Sequence, residues 1–183
     1  MKKFSQPLCG VLMVLAPAFL VAASAFAGTH AGTERVIREV RHELLLLPYY
    51  GIFDHLEFTV SDGAVELHGA VTRPTLKSEA ENVVKTIEGV SEVRNHIEVL
   101  PLSGMDDQIR LASYRAIYGD SALSARYGHR AQPPVHIIVR NGDVTLEGAV
   151  ANEFDRNVVK MRANGVPNVF SVTDNLRVDE PGA

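Results

Sequence analysis

A chain of 183 residues allows one large or two small domains. Its apolar fraction of 46% and charged fraction of 22% are ordinary for a packed protein, which excludes a disordered, collagen-like or long coiled-coil chain. One Cys and no Trp exclude a disulfide scaffold, a cysteine-ligated zinc cluster and a thioredoxin-type pair, and a net charge of −4 argues against a general nucleic-acid binder.

The chain opens with Lys2 and Lys3, an apolar run from Val11 to Ala23, and the small-residue stretch Ala25-Phe26-Ala27. This layout predicts a signal peptide over residues 1–27, cleaved before Gly28. The run is shorter than a spanning helix needs and Pro17 interrupts it, so no transmembrane segment is expected after cleavage. Cleavage removes Cys9 and both lysines. The mature chain is then free of cysteine, carries a charge of −6, and is expected in the periplasm or secreted medium.

The remainder reads as one unit written twice. Shifted by 79 residues, Asp62–Val99 falls without a gap on Asn141–Val178. Gly63, Val65, Leu67, Gly69 and Val71 meet Gly142, Val144, Leu146, Gly148 and Val150. Matches at apolar and glycine positions over so long a period indicate tandem domains rather than a solenoid. We place them at residues 33–101 and 105–179, joined by a linker so short (Pro101 to Gly104) that they should touch.

In chain order, Val36, Ile37, Val40, Leu44 and Leu47 predict a first helix, with Tyr49 and Tyr50 folding back on the core at its end. Leu56, Phe58 and Val60 alternate with polar residues up to Asp62-Gly63, and Val65, Leu67, Gly69 and Val71 alternate after it. Asp-Gly between alternating runs predicts a type I′ hairpin that pairs Val60 with Val65 and Phe58 with Leu67. Pro74 then opens a helix with a stripe of Leu76, Ala80, Val83, Val84 and Ile87, and a strand over Val93–Val99 follows. The second copy repeats the order: Ile109, Ala112, Ala116 and Ile117 on a helix, a hairpin at Asn141-Gly142, Phe154, Val158, Met161 and Val166 on a helix, and a strand over Val172–Val178. The expected class is α+β: two tandem α-β-β-α-β domains, each a three-stranded mixed sheet with both helices on one face.

This order, the stretch from Asp62 to Val71 and the ending from Glu88 to Val99 resemble the BON domain. The second copy matches through Asn141–Val150 and Gly165–Val178, with Asn168 where the first has Gly89 and Asp174 where it has Asn95. The resemblance implies an envelope or periplasmic protein that binds phospholipid surfaces, with a role in envelope integrity or osmotic stress. The residues that carry it are turn glycines and core valines, which perform no chemistry.

The search for chemistry is negative. There is no G-x-S-x-G, no zinc-protease spacing and no phosphate-binding glycine loop, so we expect no catalytic residue, no metal site and no cofactor. Strand alternation gathers Glu57, Glu66, His68, Arg94, His96 and Glu98 on the open sheet face of the first domain, where imidazole and carboxylate are able to hold a metal. The second copy does not preserve them, which favours a solvated charged face. His30 falls in an N-terminus expected to lack structure, and His42, His55, His129 and His136 are scattered.

Charge asymmetry supplies a lipid-binding candidate. Residues 28–104 hold 7 basic and 12 acidic residues, against 9 and 10 from Met105 onward. Between Arg110 and Arg140 five arginines face one acid, Asp120, in a segment longer than its counterpart in the first copy. Arg110, Tyr114, Arg115, Tyr118, Arg126, Tyr127 and Arg130 are the candidates, because guanidinium pairs with phosphate and tyrosine suits headgroup depth. An anionic phospholipid surface is one expected partner. The alternative is an envelope protein held on the open sheet face or a strand edge, as by a chaperone. N-terminal sequencing of the exported protein should begin at Gly28; a start at Met1 would overturn the signal-peptide assignment.

Overall fold

A computed structural model describes residues 24–130 and 133–179, with side chains from Gly32 onward. The expected signal peptide lies outside the described residues except for positions 24–27, which open the first helix. That helix, α1 (Ser24–Leu45), includes His30, so a stretch expected to lack structure is helical. It is followed by β1 (His55–Ser61), β2 (Ala64–Val71), α2 (Pro74–Lys85), β3 (Glu92–Asn95) and β4 (Glu98–Val99). The second unit comprises α3 (Gly104–Tyr118), α4 (Ser121–Tyr127), β5 (Val135–Arg140), β6 (Asp143–Val150), α5 (Glu153–Asn164), β7 (Ser171–Asp174) and β8 (Arg177–Val178).

The hairpins take the expected form. Asp62 and Gly63 have φ of 50° and 81°, Asn141 and Gly142 of 52° and 87°, as a type I′ turn requires. Val60 pairs with Val65, Phe58 with Leu67, Val139 with Val144 and Ile137 with Leu146. Val65, Leu67 and Val71 thereby share a buried face with Val36, Val40 and Leu44 of α1 and Leu76, Ala80 and Val84 of α2. Each such apolar side chain stabilises the fold by about 1.5–3 kcal/mol when buried.

The closing strand of each unit differs from expectation. It is broken in two, and both pieces pair in parallel with the central strand, giving four strands per sheet. Asn95 Oδ1 accepts the Ile97 N–H at 3.1 Å, and Asp174 Oδ1 accepts the Leu176 N–H at 3.1 Å. This local side-chain bond competes with the ladder, and the turn it forms carries Ile97 and Leu176 into their cores. The Asn95 to Asp174 exchange between copies therefore preserves the kink. Likewise Gly89 and Asn168 both have positive φ, 94° and 66°, which Asn tolerates better than most side chains.

The stripe expected on α5 also needs correction. Phe154 and Met161 are exposed, and the buried positions are Asp155, Val159 and Ala163. These are the residues that the 79-residue shift places on Leu76, Ala80 and Val84, so the repeat locates the core face better than local apolarity does. The first-helix stripe of the second unit is Ile109, Ser113 and Ile117. Among the described residues, no helix is long and apolar enough to cross a membrane.

Gly69 and Gly148 show how closely each edge strand approaches. Both have strongly positive φ, and a Cβ at either would lie about 2 Å from a backbone carbonyl, that of His55 or Pro134. Gly69→Ala and Gly148→Ala should each lower stability by more than about 1 kcal/mol, whereas Gly32→Ala, with open space around it, should leave the urea midpoint unchanged or raised. An unchanged midpoint for Gly69→Ala would contradict the register.

Candidate functional site

The seven candidate residues of the second unit divide sharply. Arg110 is buried: its guanidinium donates to the Val139 carbonyl at 2.8 Å and pairs with Asp107. Tyr118 is half-buried and donates to the Val135 carbonyl at 2.9 Å, and burial raises its pKa. Tyr127 is 2% exposed; its hydroxyl donates to the Asp155 carboxylate and accepts the Ala151 N–H at 2.9 Å. Arg126 pairs with the same carboxylate, which is itself buried. These four are anchors of the fold, and burial takes Arg110 and Tyr127 away from the surface on which they were expected.

The cause lies in α4, the insertion visible in the sequence. Asp155 occupies the position of Leu76 in the other copy, and a buried carboxylate requires donors. Tyr127 and Arg126 on α4 supply them, so the insertion consumes its own arginine. Three candidates stay at the surface. Tyr114 is 42% exposed and stacks on Tyr118 at 5.3 Å between ring centroids. Arg130 lies over the Tyr127 ring at 5.6 Å. The Arg115 side chain is exposed and makes no hydrogen bond or ion pair among the described residues. Exposed Leu111 precedes Arg115 by one helical turn.

The open face of the first sheet gathers the expected residues. Arg94 donates to Glu66 Oε1 at 2.9 Å and to Glu92 at 2.9 Å, and His68 stacks on His96 at 5.2 Å. The hydrogen bond from Arg94 holds the Glu66 carboxyl below the usual carboxylate range. Most of these side chains are well exposed, as a solvated charged face requires.

Beyond them the two units meet. Ile52 and Phe53, in the connection from α1 to β1, pack on the core of the second unit, and the Ile137 N–H donates to the Ile52 carbonyl at 2.8 Å. Glu98 pairs with Arg140 across the boundary. His55 and His136, far apart in the sequence, bring their rings to 5.8 Å, and Glu147 lies 3.9 Å from His55 Nε2. Ile138 points to this same open face and is only 7% exposed. That isoleucine was the available signal: an apolar residue between His136 and Arg140 interrupts the polar face of β5 and marks a covered surface. Tyr50 reaches the boundary too, its ring 5.7 Å from His136 and its pKa pushed up to about 12 by burial. Tyr49, expected to fold back with it, is instead 71% exposed at a φ of 69°, beneath the Arg73 guanidinium at 4.6 Å. Between α1 and β1 lies a groove of about 700 Å³ floored by Ile37, Leu44, Leu56, Phe58 and Val60.

Two α+β units of this order, with helices on one sheet face, define a tandem sheet-and-helix architecture. The chain matches the BON domain over residues 33–101 and 121–180 and belongs to that family, which is generally linked to phospholipid binding or envelope function. Among curated proteins none matches. Among solved structures, CdsD, a structural protein of the type III secretion system of Chlamydia trachomatis, is 12% identical, with 81% of this chain and 94% of that chain covered and a TM-score of 0.34. The CdsD C-terminal domain is 15% identical, with 79% and 97% covered and a TM-score of 0.28. Likeness of that degree carries no argument about function.

Burial, with His55 beside it, holds the His136 pKa below the ordinary imidazole value of 6.5. Unfolding then takes up a proton below pH 6.5, so stability is full above that pH and falls as pH drops through it toward the lowered folded-state value. The thermal midpoint should fall between pH 7.5 and 5.5, and His136→Gln should lessen the fall. An identical slope in the variant would remove His136 from this role.

Proposed function

We propose that this is a non-catalytic periplasmic or secreted envelope protein whose second unit docks on anionic phospholipid, with a role in envelope integrity or osmotic stress. The observation that supports this most is the exposed set on α3 and after α4: the Arg115 guanidinium has no protein partner among the described residues, with Tyr114 and Leu111 beside it. A basic group near an anionic surface contributes on the order of 1 kcal/mol. Arg115 and Arg130 with two apolar contacts give weak, reversible association, not insertion. The net charge of the chain opposes it, so attachment depends on this patch and weakens as salt screens it.

A second reading rests on the groove beside β1. β1 is the edge of its sheet, and an extended protein segment is able to pair along such an edge with apolar side chains in the groove. The two readings separate cleanly. Arg115→Glu with Arg130→Glu should abolish sedimentation with vesicles rich in phosphatidylglycerol while leaving the thermal midpoint within about 1 °C, because surface substitutions rarely matter to stability. Arg110→Ala should instead lower the midpoint, because it strips a buried acceptor. Vesicle binding unchanged in the double variant would sink the lipid reading.

A further inference from the structure

The boundary between the units holds the one place among the described residues where three metal-ligand side chains converge. His55 and Glu57 stand on β1, Glu147 on β6 of the other unit. Their ligand atoms all lie within 4.8 Å of one another. His55 Nε2 is 3.1 Å from Glu57 Oε1 and 3.9 Å from Glu147 Oε2. Ligands about 2.0 Å from a tetrahedral ion are separated from each other by about 3.3 Å, so these spacings bracket what a bound ion requires.

The hydrogen bonding supports the same conclusion independently. His55 Nε2 is buried and has no hydrogen-bond partner of acceptable geometry, although Glu57 is close: the carboxylate sits beside the imidazole nitrogen rather than in line with it. His136 Nδ1, in the neighbouring ring, is likewise buried and unpartnered. An orphaned imidazole nitrogen beside two carboxylates, that of His55, is an expensive arrangement without a further positive charge. We propose that His55, Glu57 and Glu147 bind a borderline divalent transition ion such as Zn²⁺ between the two units, with water completing the shell. Imidazole with carboxylate is the donor set that such ions accept, and thiolate is absent here. Because the ligands come from both units, the ion clamps one sheet face to the other. This goes beyond lipid docking, which uses Arg115 and Arg130 and does not depend on it.

The test uses the full mature chain and Zn²⁺ alone. One equivalent should bind by calorimetry, and saturating Zn²⁺ should raise the thermal midpoint by about 5 °C, since the ion binds only the folded state. Co²⁺ should give the visible absorption of a tetrahedral site. His55→Gln, Glu57→Gln and Glu147→Gln should each weaken binding at least about tenfold. The double variant His68→Ala with His96→Ala should bind as the parent does, because that pair lies outside the cluster. Absence of stoichiometric binding, or binding retained in both His55→Gln and Glu147→Gln, overturns the proposal. So does loss of binding in the His68, His96 variant, which would move the site to the solvated face.

Discussion

The turns at Asp62-Gly63 and Asn141-Gly142 take positive φ at both residues, and that conformation decides which side chains of each sheet meet the core. A slip of one residue would turn Val65 and Leu67 outward and bury Glu66 and His68. The same choice puts His55, Glu57 and Glu147 on the opposite faces, and it sends Ile138 there as well. What the open faces are able to do follows from a conformation that costs little for Asn, Asp and Gly and much for other residues.

From that shared frame the two copies have diverged in how they use charge. The first keeps an apolar helix position at Leu76 and buries one carboxylate, Asp54, which accepts from the Thr72 N–H and hydroxyl. The second buries carboxylates at Asp106 and Asp155, and both hold neighbouring elements in place. Asp106 accepts the N–H groups of Asn141 and Gly142 at 2.9 Å, fastening α3 to the hairpin turn. Asp155 holds α4 through Tyr127 and Arg126. A run of arginine in a sequence is therefore poor evidence of an anion surface when buried acids lie elsewhere in the chain. Arg115 and Arg130 are what remains after the fold has used the others.

The hairpins, their register and α2 were legible in the sequence because each rests on local chemistry: a turn dipeptide, alternation, a proline at a helix start. The breaks at Asn95 and Asp174 were not, since an unbroken alternation reads as one strand and only the side-chain bond to the second residue on reveals the kink. Nor was the buried face of α5, where Phe154 and Met161 are more apolar than the residues that fill the core. The convergence of His55 with Glu147 depends on how one unit sits against the other, which no periodicity encodes. Ile138 and the short linker announced contact between the units, but not which residues it would join.

The hydrogen bond from Ile137 to Ile52, with Ile52 and Phe53 seated on the second core, means that the units are joined twice. One connection is covalent, through a linker whose Leu102 is 98% exposed and open to a protease. The other is a piece of the first unit built into the second. A nick at Leu102 would therefore yield two fragments that copurify, held by the α1–β1 connection across the gap. The linker keeps the units in one polypeptide, while their association rests on the buried contact.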